Sequence, residues 1–210
     1  MASDPHAESQ KLADGLRHLA QALNDRGIAY ALIGGVALGF RSRPRYTEDL
    51  DFILNIPQIA LPGLLEELQT RGFKFDLQRV LVQWRQDQMT VLDYDGVRID
   101  WLRPALPLYQ HVIDQARPEP WLGTTMRIAA PEGLILTKLI ANRAQDLADI
   151  EALVAANRAS LDLDWIRTEW CTVAEESDPR FLRFQSMLKL QDEQAQQPSA
   201  ATPPAGASPS

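Results

Sequence analysis

The chain has 210 residues, 45% of them hydrophobic, enough for one full domain with a sizeable core and a second small module. A formal net charge of -7 argues against a dedicated nucleic-acid coat, the single cysteine excludes an internal disulfide framework, and three histidines offer no zinc spacing, so any metal must be held by oxygen. The longest apolar stretches, such as Ile28 to Val36, are far shorter than the roughly 18 to 20 residues of a membrane span, and residues 1–10 lack a secretory pattern, so a cytoplasmic protein with no membrane partner is expected.

In chain order, Leu12, Leu16, Leu19, Ala20 and Leu23 recur at the spacing of one helical stripe, which predicts an amphipathic helix over 11–25 after a flexible segment 1–10. Gly27 suits the left-handed residue that ends such a helix. The short apolar run Ile28–Ile33, bounded by glycine at both ends, reads as a buried strand, and a short helix from Val36 to about Arg41 follows until Pro44 stops it. A second strand over 49–54 alternates, with Asp49, Asp51 and Ile53 on one face and Leu50, Phe52 and Leu54 on the other.

Leu61 to Arg71, closed by Gly72, reads as a helix, and 73–84 and 88–94 read as strands. Asp95 and Gly96 form a two-residue hairpin signal, after which 97–102 returns as a strand with Arg98 and Asp100 on one face. A helix over 107–115, a short extended segment 125–128, and helices over 131–142 and 145–156 complete a main body spanning 11–156, with Pro131 at a tolerated first-turn position. Helical segments at 163–174 and from Ser177 to about Leu190 form an appendage over 157–190. From Gln191 to Ser210 the composition collapses to Gln, Ala, Pro, Ser and Gly, which predicts a disordered tail.

Two stretches carry the chemistry. Gly34 and Gly35, after a strand and before a helix, let backbone approach a ligand and expose N–H groups suited to phosphate, although a glycine pair is also a plain tight turn. Asp49 and Asp51 in an apolar strand repel one another and are expensive to bury unless a cation lies between them. Mg²⁺, which takes hard oxygen ligands and is commonly shared between carboxylates and substrate phosphates, meets that need. The competing reading, a solvated acidic edge strand, fits poorly with Phe52, Ile53 and Leu54 directly after the pair.

The order Ile33-Gly34-Gly35, then Asp49-Leu50-Asp51, then Asp100 in Val97-Arg98-Ile99-Asp100-Trp101 resembles the nucleotidyltransferase superfamily, which includes DNA polymerase beta type enzymes, antibiotic nucleotidyltransferases and the toxin-like AbiEii group. A further likeness to minimal and AbiEii-like members runs from Pro131 through Lys138 to Arg143, Asp146 and Asp149. On one continuous helix Lys138, Asp146 and Asp149 would share a broad face, with Arg143 pairing to a carboxylate.

The resemblance implies an α+β (α/β) nucleotidyltransferase fold, a mixed β-sheet flanked by helices with a small C-terminal helical appendage. It implies an enzyme that moves a nucleoside monophosphate from a nucleoside triphosphate, ATP among them, to a hydroxyl acceptor with release of pyrophosphate. Asp49, Asp51 and Asp100 would hold Mg²⁺ or Mn²⁺, Lys138 would steady the phosphates, and Gly34, Gly35 and Arg45, from the run Arg41, Arg43 and Arg45, would line the nucleotide. The acceptor stays open between tRNA, a protein side chain and a small hydroxylated antibiotic, and an AbiEii-like toxin role carries an antitoxin partner with it. The alternative is a non-catalytic nucleotide-binding or partner-binding module on the same fold.

Overall fold

Short apolar segments punctuated by glycine set the frame of the molecule. The computed structural model describes residues 5–44 and 46–196. Helix α1 (Pro5–Asp25) buries Leu16, Leu19, Ala20 and Leu23 completely, and Gly27, at φ +61°, turns the chain into β1 (Ala29–Ile33). Helix α2 (Gly34–Arg41) leads to β2 (Asp49–Asn55), and α3 (Leu61–Thr70) to the two-residue β3 (Phe73–Lys74). After α4 (Leu77–Gln86), the hairpin of β4 (Met89–Tyr94) and β5 (Val97–Leu102) turns on Asp95 and Gly96, both at positive φ as a tight two-residue hairpin requires. Next come α5 (Pro107–Asp114), β6 (Arg117–Trp121), β7 (Thr124–Ile128), α6 (Pro131–Ala141), α7 (Ala144–Asn157), α8 (Leu163–Trp170) and α9 (Pro179–Gln196).

The strands form one mixed sheet in the order β3-β4-β5-β2-β1-β7-β6. β2 is central, antiparallel to β1 and parallel to β5, so its backbone is bonded on both sides and Leu50, Phe52, Ile53 and Leu54 are fully buried. The expected mixed α/β architecture is therefore present, with α8 packed on α6 and α9 on α7 at the C-terminal end. Ile166, Trp170, Phe181 and Phe184 join the same core as the sheet.

Four local expectations need correction. Only Phe73 and Lys74 of the segment 73–84 are extended; 77–86 is helix α4, because Asp76 accepts a bond from the Arg79 N–H at 2.7 Å as N-cap and Val80 and Trp84 bury one helical face. The extended segment at 125–128 has an unforeseen partner in β6, whose Pro118 and Pro120 hide it from strand patterns and suit its place at the sheet edge. The first helix starts at Pro5 rather than Lys11, so the flexible segment expected over 1–10 is helical from residue 5, with 1–4 outside the described residues. The tail expected to be disordered from Gln191 remains helical to Gln196, where Asp192 pairs with Arg158 at 2.8 Å; residues 197–210 lie outside the described residues.

Candidate active site

The site begins with strand register. β1 and β2 pair Ile33 with Asp51, and β2 and β5 pair Asp51 with Asp100, so three neighbouring strands bring the glycine turn and two carboxylates into one row. Alternation puts Asp49 on the same face as Asp51. One carboxylate oxygen from each of Asp49, Asp51 and Asp100 lies within 4.8 Å of the other two, and all three residues are half-buried. The expected triad is assembled by β2 and β5 together.

Glycine is required at position 34 for two separate reasons. Its φ of +68° is a conformation that L side chains rarely adopt, and a Cβ there would lie 1.9 Å from Asp51 Oδ2. Gly35 is buried in the first turn of α2, whose leading backbone N–H groups have no partner within the helix.

Neighbours hold two of the carboxylates. Thr47 Oγ1 donates to Asp49 Oδ1 at 2.7 Å, and Arg98 Nε donates to Asp100 Oδ1 at 2.8 Å. Burial pushes the Asp51 carboxyl up to about 6, with Asp49 and Asp100 adding to the rise and Arg143 and Lys138 opposing it. Such a carboxylate favours either a proton or a cation beside it.

The break between α6 and α7 overturns the continuous-helix expectation but keeps its result. Asn142 adopts the left-handed conformation at φ 50° and ψ 38°, ending α6 and folding α7 back against it. Lys138, only 5% exposed, then donates to Asp146 Oδ1 at 3.2 Å and to Asp149. Arg143 bonds Asp146 through both its backbone N–H, at 2.9 Å, and its side-chain Nε, at 3.0 Å. Burial alone would raise the Asp146 carboxyl, but these bonds and the Lys138 charge bring it below the ordinary range.

Arg143 is the residue whose reach a local reading missed. Its side chain is 75% exposed, and after its bond to Asp146 the charges of Asp51 and Asp49 help hold it protonated. The signal was legible in part as an arginine three residues before an aspartate; its proximity to β2 was not. Of the arginine run, Arg41 is committed to the Ile128 and Ala129 carbonyls and to Glu119, Arg43 is exposed, and Arg45 lies outside the described residues.

A metal fits the donor set. Three hard oxygen donors converge, one of them shifted toward protonation by burial and then by its like-charged neighbours, beside a turn where glycine leaves room.

Comparison with known proteins agrees with this geometry. Residues 17–202 match the family described as "Nucleotidyl transferase AbiEii toxin, Type IV TA system". The fold is similar to that of an antigenic nucleotidyltransferase-like protein from Paracoccidioides brasiliensis, with 18% identity over 86% of this chain and 93% of that one and a TM-score of 0.54. It is also similar to the solution structure of the antibiotic-resistance factor ANT(2'')-Ia, with 12% identity over 89% of this chain and 97% of that one and a TM-score of 0.52. At these identities the likeness shows the nucleotidyltransferase fold alone. A comparison with curated protein sequences gives no match.

Proposed function

The chain belongs to the AbiEii nucleotidyl transferase toxin family, whose chemistry is nucleotidyl transfer, and from that premise we propose that it moves a nucleoside monophosphate from ATP or another nucleoside triphosphate to a hydroxyl acceptor, releasing pyrophosphate. The observation that carries this reading is the meeting of Asp49, Asp51 and Asp100 within 4.8 Å beside Gly34. A divalent ion such as Mg²⁺ or Mn²⁺, when bound to these carboxylates, supplies charge neutralisation for the triphosphate and the acceptor oxygen.

The protein's own residues have separable tasks in this scheme. Gly34 and Gly35 present backbone to the phosphates at the start of α2, and Asp49 and Asp51 hold the ion that accompanies them. Arg143, exposed and drawn toward the acidic face, reaches the phosphates directly, while Lys138 steadies them from its buried position between Asp146 and Asp149. Asp100 faces the acceptor and takes up its proton. The acceptor oxygen bonds to the α-phosphorus as the bond from that phosphorus to the pyrophosphate bridging oxygen breaks, and pyrophosphate leaves with the electron pair. Arg45 completes the nucleotide contacts, and an antitoxin partner in the cytoplasm restrains the activity.

The test is incubation with each labelled nucleoside triphosphate and Mg²⁺, in parallel with total tRNA, a protein extract and an aminoglycoside panel. Label transfer and pyrophosphate release that vanish in Asp49→Ala are expected. Asp100→Ala should lose rate while keeping much of the nucleotide affinity. Tight nucleotide binding without turnover on any acceptor would replace the enzyme with a binding module.

A further inference from the structure

Beside the carboxylate triad lies a groove of about 840 Å³ between the first turns of α1, helix α2, the segment leading into β2 and the β4–β5 turn. That volume suits a drug-sized molecule. Its lining includes Gly35, one residue beyond the glycine that abuts Asp51, and Thr47, whose hydroxyl donates to Asp49 Oδ1 at 2.7 Å. The groove therefore borders the triad through Gly35 and Thr47, while the three triad aspartates themselves are not among its lining residues. No residue of α6 or α7 lines it, so the cations that bear on Asp51, Lys138 and Arg143, lie outside it.

Its lining chemistry is one-sided. Phe40, Tyr46 and Trp121 supply aromatic surface, with the Phe40 and Trp121 rings edge to face at 5.4 Å, and Glu8, Glu48 and Asp95 supply negative charge. One lining cation among the described residues, Lys11, 3.3 Å from Asp95, stands against these three carboxylates. Among the described residues, neither Glu8 nor Glu48 forms an ion pair within 4 Å. The Tyr46 hydroxyl is 3.3 Å from Glu8 Oε2 and 3.2 Å from Glu48 Oε1, and its single proton serves one of them at a time. Aromatic faces and carboxylates both attract ammonium groups, and a phosphate-bearing ligand meets repulsion on the same surface.

We propose that this groove binds the acceptor, and that the acceptor is a compact, ring-containing small molecule bearing several amines and hydroxyls. The proposal rests on the nucleotidyl-transfer reading for its chemistry, but binding of the cation to the groove is a separate event. Ammonium groups sit against Glu8, Glu48 and Asp95, the ring body lies on Phe40 and Trp121, and a hydroxyl is carried past the Thr47 end toward the triad, where Asp100 takes its proton.

Kanamycin, spermidine and sucrose are the probes, titrated calorimetrically into the full chain without nucleotide at low and high salt. Saturable, salt-sensitive kanamycin binding is expected, with sucrose inert and spermidine weaker for want of a ring. Glu8→Gln/Asp95→Asn should weaken kanamycin by about tenfold or more through lost charge complementarity, while ATP–Mg²⁺ affinity stays unchanged. Phe40→Ala should weaken kanamycin more than spermidine. Kanamycin binding absent up to about 1 mM, or equal in the double variant, would overturn the proposal while leaving nucleotidyl transfer to be judged by ATP–Mg²⁺ binding and turnover. Label transfer to tRNA that increases in the double variant would overturn it in favour of an RNA acceptor.

Discussion

Gly34 faces the Asp51 carboxylate so closely that a Cβ on it would lie 1.9 Å from Oδ2 and 2.9 Å from the Asp51 Cβ. The clash reaches the root of the side chain, so rotating the carboxylate does not relieve it. Gly34→Ala is expected to displace Asp51 from the triad and to lower turnover by at least about a hundredfold, as misplacement near 1 Å does elsewhere. The left-handed backbone adds roughly 1–2 kcal/mol of strain. Transfer assays and thermal unfolding check both effects, and near-normal turnover with Ala at this position would show that Asp51 is not needed where the structure puts it.

Asp51 makes the metal-free protein pH-sensitive. Its carboxyl is raised from 3.8 to about 6 in the fold, first by burial and then by Asp49 and Asp100. The fold favours the protonated form. The destabilisation is absent below the unfolded value, grows as pH rises between 3.8 and about 6, and is fully present above that, at about 3 kcal/mol. Asp51→Asn should therefore raise the Tm in chelator near neutral pH and much less at about pH 4. Mg²⁺ should raise the Tm of the natural protein and not that of the variant; a variant no more stable than its parent in chelator contradicts the electrostatic account.

Lys138 and Arg143 separate by burial. Lys138→Met would leave Asp146 and Asp149 buried with their central cation removed, a change that costs about 3–5 kcal/mol. Arg143→Ala removes a 75% exposed partner and should cost less than about 1 kcal/mol, yet weaken nucleotide binding. Chemical denaturation and nucleotide titration on both variants test the contrast. Equal stability losses would mean that the Lys138 cluster is not the structural centre of the α6–α7 pair.

Asn142 sets the fold-back of α7. In its left-handed conformation Asn142→Gly should be neutral or mildly stabilising, whereas Asn142→Val should cost at least about 1–2 kcal/mol and loosen the ion pairs at Lys138. Hydrogen exchange at the start of α7 would report the loosening, and an unchanged exchange pattern in the valine variant would remove this residue from the assembly of the site.

What the chain encodes locally is the periodicity of its pieces. The alternation Asp49-Leu50-Asp51-Phe52 already places two carboxylates on one face of a strand, and the glycines at 27, 34, 72 and 96 mark turns that take positive φ. Segment 73–84 misled because its aromatic and branched residues favour strands, while Leu77, Val80, Leu81 and Trp84 also fit a helix, and burial against Trp101 decides between them. Tertiary structure alone chose β5 as the neighbour of β2, set Asp51 beside Asp100, and brought Arg143, bonded to Asp146, within range of the Asp51 and Asp49 charges. Backbone geometry fixes which side chains share a face over a few residues, but which strand lies alongside, and in what register, depends on the burial of surfaces far apart in the chain.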